Sequence, residues 1–134
     1  MKKIIPLTAP ILFLAFGFFL IGQALPKSLM DQWEDVESEI KKGLPKTAIE
    51  KIDPLIKQAL KDGSHAVAIR AICQKINLQG AIQGNKAEEK IARLEEEFTK
   101  APEALKPLMR AVLSNWYWQY FQQNRWRFAQ RTRT

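Results

Sequence analysis

Few side chains in this sequence are equipped for chemistry: one histidine, His65, one cysteine, Cys73, and a run of carboxylates, Glu95, Glu96 and Glu97. A covalent mechanism would need the Cys73 thiolate activated by a base, and His65 is the one imidazole able to serve it. His65 follows Gly63-Ser64 at an expected helix start, where a polar side chain is ordinary. A zinc site needs three or four ligands, and no second thiol or imidazole exists to complete one. Cys73 falls beside Ile69, Ile72 and Ile76 on an apolar helical face, where a free cysteine behaves as a small hydrophobe. Arg70 and Lys75, near it in sequence, are expected to point outward. Three consecutive glutamates fan around a helix, so they cannot converge into a pair with divergent acidities. Phosphate-cradling glycine loops and nucleophile elbows are absent from the sequence. The expectation is a protein that is not an enzyme and takes neither cofactor nor metal.

Binding chemistry is concentrated in one segment, residues 115–128, which holds three of the four tryptophans and both tyrosines. Trp116 and Tyr120 lie four apart on one helical stripe, Tyr117 and Phe121 on the next, and Trp118 points elsewhere. A single helix with aromatics spread this widely cannot bury all of them against a small bundle. Aromatics together with arginine are what protein interfaces favour. The interface candidates are therefore Trp116, Tyr117, Trp118, Tyr120, Phe121, Gln122, Asn124, Arg125, Trp126 and Arg127. The amides of Gln122, Gln123 and Asn124 suit a junction, where they can hold backbone groups. The alternative is a core helix followed by a polar tail.

The elements that must position this segment read as helices. Leu29, Trp33, Val36 and Ile40 recur at intervals of four, three and four behind a Ser28 cap, and Gly43 ends that helix. Pro45 opens a second, with Ala48, Ile49, Ile52, Leu55, Ile56, Ala59 and Leu60 on its apolar face. Pro54 falls inside it, which predicts a kink there or a break after Ile52. Ser64 is expected to cap a third helix carrying Ala68, Ile69, Ile72, Cys73 and Ile76 and ending near Gly80 or Gly84. Asn85 with Glu88 suggests a capping-box start for a fourth helix, with Ile91, Leu94 and Phe98 inward. A fifth begins between Glu103 and Pro107 and bears Leu108, Met109, Val112, Leu113, Trp116, Tyr117, Tyr120 and Phe121. No segment alternates with the period of a half-buried strand. The fold class is all-α: about five helices in antiparallel hairpins, as a tetratricopeptide-like stack or a small helical bundle.

Charge and hydropathy bear on location and partners. Lys2 and Lys3 precede an apolar run from Ile11 to Ile21, and Gly22-Gln23-Ala24 follows with small residues at its first and third positions. That order is an export signal, with cleavage expected after Ala24 and no cysteine for a lipid anchor. The alternative is a retained membrane anchor, since a spanning helix needs about 20 apolar residues and Ile4 to Gly22 nearly supplies them. Pro6 and Pro10 shorten the uninterrupted run and favour cleavage. Residues 1–24 are thus the signal peptide, 25–123 the helical domain and 124–134 a basic tail or a junction to a further domain. The product is exported: periplasmic, cell-envelope or secreted.

The formal charge of +7 falls to +5 on cleavage, because Lys2 and Lys3 leave and no acidic residue does. Setting aside Arg125, Arg127, Arg131 and Arg133 leaves +1 for the helical body. No basic stripe remains to hold a nucleic acid. A lone cysteine makes no internal disulfide, so stability must come from the apolar core.

Two blocks of sequence carry a resemblance. Lys41-Lys42-Gly43-Leu44-Pro45-Lys46-Thr47-Ala48, and the stretch from Trp116 through Arg127, resemble the helical N-terminal region of bacterial alpha-2-macroglobulin-like proteins. Those large exported proteins show a "KKGLPKSA"-type turn and a "YWxYYQQNRW"-type helix end before their β-domains, and the similarity spans nearly all of residues 28–132. The resemblance implies a detached or truncated front module whose aromatic-arginine end docks onto macroglobulin-type domains or another protein. Pro54 and Pro107 depart from the expected helical pattern. No bait region, β-sandwich or thioester motif lies in the 134 residues, so no functional residue carries over.

Overall fold

Ser28 opens the first helix reciprocally: its hydroxyl accepts the Asp31 amide at 3.1 Å, and its own amide donates to the Asp31 carboxylate at 3.2 Å. This capping box satisfies donors that the first helical turn leaves free. In the computed structural model, residues 27–131 are described. They form α1 (Leu29–Lys41), α2 (Pro45–Lys61), α3 (His65–Gln83), α4 (Ala87–Lys100), α5 (Lys106–Gln123) and α6 (Arg125–Arg131), with no strand among the described residues. The expected signal peptide, 1–24, lies outside them.

Each of the first five helices packs on its chain neighbour, and α3 also touches α5. Turns of three residues join α1 to α2 and α2 to α3, so these packed neighbours must reverse direction. Gly43 and Gly63 sit in those turns at φ of +74° and +69°, a conformation that glycine adopts without a Cβ penalty. The result is the small all-α bundle that the apolar periodicity implies.

The bundle has two buried clusters. Trp33, Val36, Ala48, Ile52, Leu55, Ala71 and Leu78 form one, between α1, α2 and α3. The other joins Ala59, Ala68, Ile69, Ile72 and Ile76 to Ile91, Leu94, Leu105, Met109 and Leu113. Helices α2 and α3 contribute to both, and α3, which packs on α2, α4 and α5, is the central element. Cys73 is half-buried against the second cluster, as its apolar setting predicts.

Four details differ from expectation. First, the break after Ile52, one of the two outcomes expected of Pro54, does not occur: α2 runs unbroken through the proline. The proline is exposed, so the carbonyl it leaves without a donor is on the side open to water. Second, Ser64 occupies the cap position of α3 but makes no side-chain capping bond. Third, α4 is capped by Lys86, and Asn85 instead takes φ +59° in the preceding turn, so the expected box with Glu88 does not form. Asparagine tolerates that left-handed conformation better than most residues. Fourth, helical structure continues beyond residue 123 as α6, giving six helices among the described residues against the expected five or so.

Candidate functional site

The aromatic segment is divided by the packing of α5. Met109 and Leu113 are buried, and one and two turns further along Trp116 and Tyr120 are half-buried against the same core. Helix α5 therefore presents Tyr117, Trp118 and Phe121 on its uncovered side, with Trp118 57% exposed. The neighbouring α6 adds Trp126, 62% exposed, and Phe128.

These rings are ordered against one another. Trp118 stacks on Phe121 with centroids 5.8 Å apart, and Phe121 stacks on Phe128 at 5.6 Å. Phe128 also meets Tyr120 edge-on at 6.5 Å. Offset stacking and edge contacts at such distances are the favoured ring geometries. The ladder Trp118–Phe121–Phe128 thus runs across the break between α5 and α6 and leaves a continuous aromatic face at that end of the bundle.

Asn124 makes the corner. Its side-chain amide donates to the Tyr120 carbonyl at 2.9 Å, and its backbone N–H reaches the carbonyls of Tyr120 and Phe121. Its own carbonyl accepts the Arg127 amide at 2.9 Å, and the Arg127 guanidinium lies 3.4 Å from its side-chain oxygen. Of the amides at 122–124, Asn124 is the one that holds backbone, at the break between α5 and α6. Gln122, Arg125 and Arg127 are exposed beside the ladder.

Two phenols tie α5 to α4. Tyr117 donates to Glu95, and Tyr120 donates to Glu88 at 2.8 Å. The Glu95 bond holds the Tyr117 phenol above its ordinary pKa by favouring the protonated form. Glu88 is held below the usual carboxylate value by its own backbone N–H, then by the Tyr120 phenol, with the Arg127 charge assisting. The other side chains first considered for chemistry stay apart. Glu96 pairs with Lys100 at 2.8 Å, while Lys75 pairs with Asp53 at 2.6 Å on another part of the surface. Burial pushes the Cys73 thiol up to about 11, away from the thiolate a nucleophile requires. No group of metal-ligating side chains gathers among the described residues, and no helix among them is long and apolar enough to cross a membrane.

Behind the ladder, on the core side of α5, lies a feature that sequence reasoning missed. A cleft of about 370 Å³ opens between α3, the start of α4 and α5, walled by Asn77, Asn85, Lys90, Trp116, Gln119 and Gln123 among others. Its amides come from two helices and a turn, so no local spacing marks them.

No protein-family model, curated protein or solved structure matches this chain.

Proposed function

We propose that this protein is an exported, non-catalytic helical module whose aromatic end makes a protein–protein or inter-domain contact. The observation that carries this reading is the stacked face of Trp118, Phe121 and Phe128, with Trp126 and two arginines beside it, left open at one end of a well-packed bundle. Large rings held by stacking lose little side-chain freedom on binding, and Trp and Arg are the residues that most often dominate interface energy. The likeness of the same segment to the front of alpha-2-macroglobulin-like proteins favours a docking role of this kind, onto macroglobulin-type domains or a separate protein. Export rests on the charged, apolar and small-residue order of residues 1–24.

The test is site-specific photo-crosslinking in the producing cell. A benzoylphenylalanine placed at Trp118 or Trp126 is expected to give one discrete protein adduct, and the same probe at exposed Leu44 none. Adducts of equal yield at all three positions, or none at the aromatic sites, would overturn the reading. N-terminal sequencing of the exported product decides between a cleaved signal, starting at Leu25, and the tethered scaffold that retains residues 4–22.

A further inference from the structure

We propose that the cleft between α3, α4 and α5 is a binding site for the free C-terminal end of an extended peptide. This goes beyond the aromatic contact: the cleft is on the core side of α5, and of its lining only Tyr120 also meets a ring of the ladder, Phe128.

The argument begins with unused hydrogen-bonding capacity. Asn77, Asn85, Gln119 and Gln123 each carry an exposed carboxamide, and none of these four side-chain amides makes a hydrogen bond to another described residue. A primary amide offers both donors and an acceptor, so four around one cleft match the alternating N–H and C=O groups of an extended backbone. The wall also carries Lys90, which has no ion pair or hydrogen bond from its ammonium among the described residues. No aspartate or glutamate lines the cleft; the Glu88 carboxylate lies near its rim, held at 2.8 Å by the phenol of Tyr120, itself a lining residue. An unpaired cation in an amide-walled cleft is complementary to a carboxylate. A volume of about 370 Å³ is at the small end of ligand sites, which suits a chain terminus better than a strand running through.

Gly80 supplies an independent observation. A glycine within a helix is unfavourable relative to alanine, and this one is buried in the last turns of α3. A Cβ built on Gly80 would come 2.6 Å from Cε of Lys90, closer than real contacts allow. The glycine therefore lets the lysine stem lie flat across α3 and brings the residue to the cleft wall. Two backbone bonds converge on the Gly80 carbonyl, from Gly84 and from Asn85 at 2.6 Å, and these set the turn that carries the Asn85 amide.

The test is a titration of the ¹⁵N-labelled full chain, kept in non-ionic detergent, with acetyl-tetra-alanine bearing a free C-terminus. The side-chain amide signals of Asn77, Asn85, Gln119 and Gln123 are expected to move together. The C-terminally amidated peptide should bind about tenfold more weakly, the loss typical of a charge-assisted bond. Lys90→Met, which keeps an unbranched stem of similar length and removes the charge, should reproduce that loss with the free acid and show no further loss with the amide. Gly80→Ala should weaken free-acid binding while the far-ultraviolet spectrum stays helical. Unmoved amide signals at millimolar peptide, equal binding of acid and amide, or a preference for a neutral oligosaccharide such as chitotetraose would overturn the proposal.

Discussion

The Tyr120 phenol donates a 2.8 Å hydrogen bond to the Glu88 carboxylate and so fastens the last turn of α5 to the first turn of α4. Because Glu88 is held below its ordinary value of 4.5, its ionised form favours the folded state. That contribution is present above the unfolded-state value and is lost as pH falls through the lower folded one. Tyr120→Phe is therefore expected to lower the urea midpoint at pH 7, with the difference from the parent shrinking in acid. A difference that is constant with pH would show that the bond does not act through Glu88.

Core and surface substitutions should separate cleanly. Leu94 is fully buried between α4 and its neighbours, and Leu94→Ala is expected to cost about 2–5 kcal/mol by transfer and cavity terms together. Trp118→Ala removes a larger side chain from an exposed position and should change stability by no more than about 0.5 kcal/mol. Chemical denaturation followed by circular dichroism measures both. The Trp118 variant should nonetheless lose the crosslinked partner when the probe sits at Trp126.

Pro54 interrupts the hydrogen-bond ladder of a continuous helix at an exposed position. Pro54→Ala restores a donor and good helix propensity, and the proline's restriction of the unfolded chain offsets only part of that gain. A net stabilisation of about 1–3 kcal/mol is expected. A lower melting temperature would mean that the proline's conformation is one α2 needs.

Cys73, with its thiol pushed up to about 11 by burial, should be almost entirely protonated at pH 8. Iodoacetamide is expected to modify it far more slowly in the native protein than in denaturant, as read by mass spectrometry. Native and denatured rates of similar size would place a reactive thiol on this surface after all.

Much of the architecture is written in apolar spacing. Trp33 and Val36, Ile52 and Leu55, Ile91 and Leu94 each share a helical face because 3.6 residues complete a turn, and each pair is buried as that period requires. The turns at Gly43 and Gly63 were legible for a related reason, since a left-handed residue strongly favours glycine. Periodicity announces which residues share a face, but it cannot say how many faces a neighbour covers. Ala71 and Leu78 were therefore overlooked: α3 is covered on two sides, and its second buried face is visible only once α1 and α2 are in place. Whether a helix breaks at Pro54 depends on whether the freed carbonyl meets water, which spacing does not show, and the seven residues of α6 are too few to show a period.

The candidate site divides along the same line. Aromatic and arginine content alone marked residues 116–127 as a place for contact, since so many rings exceed what one helix can bury. Only the packing of α5 against α4 determined that Trp116 and Tyr120 turn inward while Tyr117, Trp118 and Phe121 stay outside. The amide cleft belongs wholly to the tertiary structure, because Asn77, Asn85, Lys90 and Gln119 are distant in the chain and become neighbours only when three helices converge. Sequence determines what each residue can do. Folding decides which of them face one another, because burial and proximity are properties of a pair of surfaces and not of a side chain.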